Sequence, residues 1–358
     1  MESFIVYSAY SCLAIFSIYW LLIYNRLKNS YRQIIDPEWP PVSVIICIRN
    51  QSLVFKEAIK LFLEQDYPQY ELLIVDDDSG DGLESWIYET KKIESKISYF
   101  KNNKTKAGKK QALTTGITNA KYKWLAFTDA DCRPTGKYWL KSMMASRKKN
   151  DKIILGYAPY QYKQGFLNKF IRFESCFNAL QYLSASQIGF PYMGSGRNLV
   201  YHKSIFNADA LQNELMYGDD DLLINAQSNS KNTCNCIESE SFIYSDAKST
   251  YLGYFKQRWR HYAASLHYNI SSSLLLLTYY CSFAGLYLSV LFLLYQKNFY
   301  MASSLYVCHL LVSWPVFCNK LKIFKEKELC LYFPFLQIIY FFHLLLQFPF
   351  LWIQKKQW

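Results

Sequence analysis

Four long stretches without a charged residue constrain this chain of 358 residues more than any other feature. The first covers residues 4–24, and three more follow one another at residues 270–295, 299–318 and 330–353. A helix of about 20 apolar residues crosses the hydrocarbon core of a bilayer. No comparable stretch occurs between residues 30 and 269. The pattern therefore predicts a polar domain with one transmembrane helix before it and a helical membrane region after it.

We place the N-terminal transmembrane helix at residues 1–25, the polar domain at residues 38–265, and a C-terminal membrane region of about three helices at residues 270–353. A cleaved signal peptide carries its positive charge before the apolar stretch. Here Arg26 and Lys28 come after it. We therefore expect a retained helix, and its length favours a membrane span over a buried core helix.

Basic residues beside the apolar stretches predict the orientation. Arg26, Lys28 and Arg32 precede the polar domain, and four lysines at residues 320–327 lie two crossings beyond it. Short cytoplasmic loops carry an excess of Lys and Arg. We therefore expect an integral membrane protein with its polar domain in the cytoplasm. Two prolines interrupt the last stretch, so whether it spans fully stays open.

Charge and cysteine content limit the partners. Lys and Arg number 40 against 28 Asp and Glu, which gives a net charge of +12. Much of this charge flanks the apolar stretches, where it would meet anionic lipid headgroups. We therefore predict membrane lipids, and no nucleic acid, as partners. The 10 cysteines lack zinc-site spacing, and we expect free thiols in a reducing compartment.

Within the polar domain, strand-like and helix-like segments alternate. Residues 41–48, 70–75, 96–100 and 124–127 have the composition of buried strands, and helix-like segments separate them. The alternation predicts an α/β domain with a doubly wound, mainly parallel sheet. Residues 165–185 have apolar residues near helical spacing. A helix at the membrane surface and a core helix explain that segment equally well.

Two acidic clusters follow predicted strands. Asp76 and Asp77 end the second strand, and Asp129 and Asp131 end the fourth. In doubly wound sheets, ligands bind beyond the carboxyl ends of the strands. Carboxylates at that edge suit a hard divalent cation. Because the aspartates alone would repel a diphosphate, the sequence predicts a metal site and a phosphate site together.

The order of these motifs resembles that of family 2 glycosyltransferases. The resemblance rests on residues 42–46, 75–77, 108–109 and 129–131, and it extends over about residues 40–265. Each motif is weak alone, whereas their order and spacing together are specific. The family's enzymes invert the transferred sugar. The resemblance implies a nucleotide-sugar-binding sheet of the glycosyltransferase A-type fold, joined here to transmembrane helices.

The resemblance also implies roles for the strand-end residues. Asp77 would hold the base or ribose of a nucleotide-sugar donor, and Asp76 would support its loop. Lys109 is a candidate contact to the phosphates or the nucleotide. Asp131, together with Asp129, would hold Mg²⁺ or Mn²⁺, and Asp129 is also a candidate donor contact.

Residues 217–222 resemble the family's Glu-Asp-x-Asp-Leu motif at a helix start. By that alignment Asp219 is the general base that takes the proton of the acceptor hydroxyl. Gly218 stands where the family usually has Glu. This blurs the register of the motif, and Asp220 is therefore a second catalytic candidate.

Two more motifs concern the acceptor. Residues 193–201 resemble the glycine-containing segment at the family's sugar and acceptor site, and residues 257–261 resemble the Gln-x-x-Arg-Trp motif of its membrane members, such as cellulose and hyaluronan synthases. His261 replaces the Trp of the acceptor platform, which argues against processive synthesis. A basic juxtamembrane stretch is the alternative for the second motif. The implied acceptor residues are Gly196, Arg197, Asn198, Arg258 and His261, and the implied donor contacts are Gln257 and Arg260.

Taken with the apolar stretches, the resemblance implies an inverting, metal-dependent hexosyltransferase that moves a sugar from a nucleotide-sugar to a lipid-linked or glycan acceptor at the cytoplasmic face of the bacterial inner membrane, for cell-surface polysaccharide or glycolipid. A processive polysaccharide synthase is the alternative within the family. A non-catalytic membrane scaffold is the alternative from another class, although a relic would have lost some of the aspartates and none is lost. The sequence leaves open the sugar, the nucleotide, the acceptor and the oligomeric state.

Overall fold

A seven-stranded sheet, a small two-stranded sheet and four long apolar helices make up the fold. The prediction of a mainly parallel α/β sheet joined to transmembrane helices is confirmed. The computed structural model describes residues 2–28, 39–92, 94–102, 109–206 and 219–351, and at residues 2–4, 109 and 219 it describes the backbone only.

The strands are short and largely buried. In β1, six of the seven residues are buried, which explains why its apolar run is continuous rather than alternating. The large sheet contains β1 (Val42–Ile48), β2 (Tyr70–Asp76), β3 (Ile97–Lys101), β4 (Trp124–Asp129), β6 (Ile153–Gly156), β7 (Leu199–His202) and β8 (Thr233–Cys236), and the small sheet contains β5 (Arg133–Pro134) and β9 (Ile243–Tyr244).

The large sheet has the strand order β3-β2-β1-β4-β7-β6-β8. The four strands from β3 to β4 are parallel, whereas β7 runs antiparallel to both β4 and β6. Apolar helix faces cover both sides of the sheet. One side is packed by α2 (Ser52–Leu63), α3 (Leu83–Lys91) and α5 (Trp139–Ala145), and the other by α4 (Lys109–Asn119), α6 (Phe166–Gln187), α7 (Asp219–Gln227) and α8 (Tyr251–Ser265).

The register of the parallel strands brings the two acidic clusters together. Asp76 is opposite Ile48, and Asp129 is opposite Cys47, so both aspartates align with the last two residues of β1. The clusters therefore lie on either side of β1 at one edge of the sheet. We call Asp76, Asp77, Asp129 and Asp131 the strand-end rim.

Four helices of the described residues are long and apolar enough to cross a membrane. The first continues through a π-helical turn, Tyr19–Ile23, and a 3₁₀ turn, Tyr24–Arg26, and the last ends in a 3₁₀ turn, Phe348–Phe350. The helices are α1 (Glu2–Ile18), α9 (Ile270–Tyr295), α10 (Phe299–Phe324) and α11 (Leu329–Gln347).

Helix α10 is longer than its apolar stretch predicts. It continues to Phe324 and takes in part of the expected basic link. Lys320 is buried, and its Nζ donates hydrogen bonds to the carbonyl oxygens of Asn25, at 2.6 Å, and Leu27, at 2.9 Å. The expectation that this lysine faces lipid headgroups is therefore wrong. It satisfies carbonyls at the end of the first membrane helix instead.

Helix α11 contacts the sheet domain at both of its ends. Next to its first residue, Glu328 accepts a hydrogen bond from Nη1 of Arg172 in α6, at 2.6 Å. Beyond its last residue, the carbonyl oxygen of Phe350 accepts one from Nε1 of Trp259 in α8, at 2.5 Å. The helix contains Pro334 and remains continuous. It lies against the domain along its length rather than only at one end.

Helix α6 occupies the space between the sheet and the membrane helices. Of its 22 residues, 16 are buried. Phe177, for example, stacks on Trp20 with ring centroids 5.8 Å apart and meets Tyr340 edge-on at 5.5 Å. Of the two interpretations that the sequence left open, the core helix is the one that the structure supports.

The cysteines include one pair that the sequence did not predict. Cys318 in α10 and Cys330 in α11 form a disulfide. The expectation of free thiols is wrong for these two residues and holds for the other eight.

Candidate active site

The rim residues that follow β2 are held by hydrogen bonds from their own loop and from β3. Asp76 is fully buried, and its carboxylate accepts hydrogen bonds from the backbone N–H of Ser79 and from the hydroxyl of Tyr99, both at 2.7 Å. Asp77 accepts one from Nδ2 of Asn102 at 3.0 Å. Asp76 therefore shapes the loop, and Asp77 is fixed beside it.

The rim residues that follow β4 lie in a region of concentrated negative charge. Burial raises the pKa of Asp131, and the neighbouring Asp129 carboxylate raises it further, while Arg197 and Lys248 oppose the shift. A cation would relieve the repulsion between the two aspartates. Among the described residues, no group of three or more His, Cys, Asp and Glu side chains is placed to hold a metal ion. An ion held by Asp129 and Asp131 would need further ligands.

A cavity of about 280 Å³ lies next to the rim and extends between α6, α7 and α8. It brings together residues from four of the motifs that the sequence singled out, although they are far apart along the chain. The predicted site residues that line it are Asp129, Gly196, Arg197, Asp220, Gln257, Arg258, Arg260 and His261.

The loop before β7 approaches the start of α7 very closely at Gly196. A Cβ atom on Gly196 would lie 1.7 Å from Oδ2 of Asp220, so a larger residue there would displace the Asp220 carboxylate. The glycine-containing segment thereby brings its backbone against the carboxylate of Asp220 in the cavity wall. The side chain of Asp219, the base that the resemblance implies, lies outside the described residues, as does that of Lys109.

Arg197 is fixed on three sides. Its guanidinium donates hydrogen bonds to the hydroxyl of Ser245 and to the carbonyl oxygen of Ala158, the latter at 2.9 Å. The same group lies over the ring of Tyr160, 4.3 Å from its centroid. Arg197 therefore presents a positive charge of fixed position between the cavity and Asp131.

The prediction that Asn198 contacts the acceptor is wrong. Its side chain is fully buried and accepts a hydrogen bond from Nε1 of Trp139 at 3.0 Å. It donates to the carbonyl oxygens of Tyr157, at 2.7 Å, and Ser241, at 2.8 Å. Its hydrogen-bonding groups are engaged in the core and do not face the cavity, so Asn198 is a structural residue rather than an acceptor contact.

The motif on α8 lines the cavity from the side of the membrane helices. Oε1 of Gln257 is buried, and among the described residues it has no hydrogen-bond partner. An orphaned buried acceptor of this kind calls for a donor from a ligand. Arg260 and His261 are exposed at the same wall.

His261 combines an exposed ring with a shifted pKa. Burial of the site within the protein and the charges of Arg258, Arg197 and Arg260 together lower the pKa of His261 to about 3. The ring surface itself nonetheless faces the open cavity, which weakens the influence of burial. The three arginine charges lower the pKa of His261 whether or not its ring is buried. We therefore infer that the imidazole is neutral at neutral pH.

Sequence reasoning missed the contribution of α6. Ser175, Asn178, Ala179 and Tyr182 line the cavity, and their spacing of three, four and seven residues places them on one helix face. A small and polar stripe inside an otherwise apolar helix was the available signal. We call the surface formed by Ser175, Asn178, Tyr182, Tyr254 and Arg258 the membrane-side wall.

Comparison with known proteins identifies the domain. Residues 43–211 match the family model Glycosyl transferase family 2. The GalNAc(5)-diNAcBac-PP-undecaprenol β-1,3-glucosyltransferase of Campylobacter jejuni is 30% identical over 92 residues, which are 26% of this chain and 30% of that protein. Poly-β-1,6-N-acetyl-D-glucosamine synthase of Staphylococcus epidermidis is 30% identical over 122 residues, which are 32% of this chain and 28% of that protein. Each alignment covers less than a third of the relative's length.

A solved structure extends the likeness to the fold of nearly the whole chain. Mannosyltransferase PcManGT from Pyrobaculum calidifontis, in complex with GDP-Man and Mn²⁺, superposes with a TM-score of 0.60 at 15% identity, and the superposition covers 94% of this chain and 97% of that one. At this identity the likeness concerns the fold alone. Together with the family match over residues 43–211, it confirms the resemblance of the polar domain to family 2 glycosyltransferases that the motifs indicated.

Proposed function

We propose that the protein transfers a sugar, with inversion, from a nucleotide-sugar to a lipid-linked or glycan acceptor at the cytoplasmic face of the bacterial inner membrane. The observation that carries this proposal is the cavity. Its walls combine Asp129 of the rim, Asp220 at the start of α7 and the motif on α8, directly beside the membrane helices.

The donor occupies the strand-end rim in this proposal. Asp77, fixed by Asn102, holds the base or ribose, and Asp76 keeps the loop in shape. Lys109, at the first position of α4, contacts the phosphates or the nucleotide. Gln257 and Arg260 lie near the diphosphate. The GDP-Man in the PcManGT complex supports a nucleotide-sugar of this general kind.

The rim fits a divalent cation, Mg²⁺ or Mn²⁺. Asp131 and Asp129 would supply hard oxygen ligands, and the remaining ligands would be donor phosphate oxygens and water. When bound, the ion neutralises charge on the diphosphate leaving group. The Mn²⁺ in the PcManGT complex supports this assignment.

An aspartate at the start of α7 acts as the general base. It takes the proton of the acceptor hydroxyl as the oxygen attacks the anomeric carbon. The resemblance assigns this role to Asp219, and the contact of Asp220 with the cavity supports Asp220. A carboxylate at a helix N-terminus is stabilised in its charged form, which is the form that a base needs.

The acceptor enters along the membrane-side wall. Its sugar lies near Gly196 and Arg197, and Arg258 and His261 contact it from α8. The neutral imidazole of His261 offers less stacking surface than the family's Trp. We therefore favour the transfer of one or a few sugars over processive synthesis.

Two single substitutions test the base, and with it the enzyme. Asp219→Asn or Asp220→Asn, whichever removes the base, should lower transfer by about a hundredfold or more, because the acceptor hydroxyl then keeps its proton. Nucleoside diphosphate binding should change little. Release of nucleoside diphosphate from a panel of activated sugars, with membrane lipid extract as acceptor, measures the effect.

The experiment also separates the alternatives. If neither substitution slows transfer, the base is not on α7 and this part of the proposal is wrong. If the wild-type chain transfers no sugar and binds no nucleoside diphosphate with Mn²⁺, the non-catalytic scaffold is the better account. Long polymeric products from the purified wild-type enzyme would favour a processive synthase.

A further inference from the structure

A buried carboxylate lies directly behind the cavity. Glu174, in the middle of α6, is fully buried. It accepts hydrogen bonds from Nε of Arg258, at 2.6 Å, and from the hydroxyls of Tyr254 and Tyr262. On its remaining side, Nε2 of His343 in α11 lies 3.9 Å away. Residues from three helices that are far apart in the sequence thus converge on one charge.

This carboxylate is held in its ionised form. Burial alone would raise the pKa of Glu174, but the charge of Arg258 and the hydrogen bonds from the Tyr254 and Tyr262 hydroxyls lower it below its usual range. An ionised group in the core is tolerated only with good partners. The contacts that offset the burial of Glu174 also fix its neighbours. Of these four neighbours, Arg258 is the one that both carries a full charge and lines the cavity.

The contact fixes Arg258 in one orientation. Its Nε is engaged by Glu174, and its guanidinium stacks on Tyr262, 4.7 Å from the ring centroid. The Arg258 side chain is 17% exposed and lines the cavity. The partly exposed side chain therefore presents its positive charge to the cavity.

Arg258 is tied to a membrane helix, since Glu174 links it to His343 of α11. It lines the same cavity as Asp129 of the rim, on the side formed by α6 and α8. A guanidinium fork suits phosphate oxygens. A phosphate that reaches this wall from the membrane is one carried by a lipid.

We propose that Glu174 is a positioning residue that holds Arg258 to bind the phosphate of a lipid-linked acceptor. This inference rests on the proposed function and deepens it, since it assigns an anionic group to the acceptor and names the residue that binds that group. Glu174 acts only through Arg258 and does not touch the substrate.

The test uses the full chain in phosphatidylcholine nanodiscs. Three probes are compared, namely a polyprenyl phosphate, the matching uncharged polyprenol and inorganic pyrophosphate, and binding is followed by the intrinsic tryptophan fluorescence of the chain, to which Trp259, next to Arg258, contributes. The wild-type chain should bind the polyprenyl phosphate more tightly than the other two. Arg258→Gln should weaken that binding by about tenfold or more, the loss expected for a charged hydrogen bond.

A double-substitution cycle tests the positioning role. Glu174→Gln should also weaken binding of the polyprenyl phosphate, and the double variant should be no weaker than Arg258→Gln alone, because Glu174 acts through the arginine. If the Glu174→Gln variant does not fold, the double variant is used in its place, because it leaves no unpaired buried charge. Lys256→Gln is the matched control. It removes one charge from the exposed side of the same helix and should change nothing.

Three results would overturn the inference. They are equal binding of the polyprenol, equal binding of the lipid phosphate by the Arg258→Gln variant, or losses from Arg258→Gln and Glu174→Gln that simply add. A separate titration of nucleoside diphosphate with Mn²⁺ keeps the two proposals distinct. If the wild-type chain binds no nucleoside diphosphate, the proposed function fails; if it does and lipid phosphate binding is unaffected by the substitutions, only the positioning role fails.

Discussion

Negative charge is arranged in opposite ways at the strand-end rim and behind the membrane-side wall. At the rim, Asp129 and Asp131 lie close enough for one carboxylate to raise the pKa of the other. Behind the wall, the carboxylate of Glu174 is paired with Arg258 and two hydroxyls. Negative charge therefore accumulates at the rim, where we propose a cation, whereas behind the wall it is paired within the protein and holds Arg258 in place.

The largest effect is expected at the rim. Asp131→Asn should lower transfer by about a hundredfold or more and abolish its dependence on Mn²⁺, because a metal-binding carboxylate is lost. The measurement is nucleoside diphosphate release over a series of Mn²⁺ concentrations.

The matched control for that prediction is Asp66→Asn, which alters an exposed aspartate that pairs with Lys141 away from the rim. It should leave the rate unchanged. A metal-dependent rate in the Asp131→Asn variant close to that of the wild-type chain would remove the distinction between rim and wall.

The next effect is expected where the two regions meet. Gly196→Ala would place a Cβ atom 1.7 Å from Oδ2 of Asp220, and such overpacking costs about 1–3 kcal/mol. We expect transfer to slow by about tenfold as Asp220 is displaced. Gly136→Ala is the control, since a Cβ there meets nothing within 4 Å. Equal rates in the two alanine variants would show that the approach at Gly196 has no role.

Substitutions of two asparagines test the difference between the core and the membrane-side wall. Asn198→Ala should lower the free energy of unfolding by about 2–3 kcal/mol, because it removes three buried hydrogen bonds. Activity per folded molecule should be unchanged. Asn178→Ala, at the cavity, should do the reverse and raise the KM for the acceptor without loss of stability. Denaturant unfolding and acceptor kinetics on both variants separate these outcomes.

The smallest effect concerns pH. The pKa of His261 is lowered to about 3, so the ring should stay neutral throughout the range of about pH 5–8 in which an ordinary histidine titrates. The pH profiles of transfer by the wild-type chain and by His261→Gln should then have the same shape. An inflection near the ordinary histidine pKa that disappears in the variant would contradict the lowered pKa of His261.

The lowered pKa of His261 also makes the stability of the protein depend on pH. Between about pH 3 and the usual histidine pKa, the unfolded chain binds a proton at His261 that the folded chain does not. The contribution of His261 to stability is therefore lost as the pH falls through that window. The His261→Gln variant should show a weaker loss of stability on acidification than the wild-type chain.

The parallel half of the sheet was predictable because its signals are local. Strands such as β1 and β2 are unbroken, largely apolar runs, and the acids at their ends mark the edge where ligands bind. The convergence of Asp76 and Asp129 follows from parallel register alone. These features need no knowledge of distant contacts.

The membrane-side wall was not predictable because its signals are distant. Glu174 and His343 lie on α6 and α11, far apart in the sequence, and neither local sequence indicates that the two side chains meet. The role of Asn198 was missed for the same reason, since its partners lie on other elements. Tertiary packing decides whether such residues face a cavity or the core.

The proposed chemistry depends above all on the binding of a nucleoside diphosphate at the strand-end rim through a divalent cation. A calorimetric titration of nucleoside diphosphates into the purified full chain, with Mn²⁺ and then with a chelator, measures that binding. We predict that at least one nucleoside diphosphate binds, that its binding requires Mn²⁺, and that it is lost in the Asp131→Asn variant. Binding that is unaffected by the chelator and by that substitution, or no binding of any nucleoside diphosphate with Mn²⁺ present, would show that the rim does not work in this way.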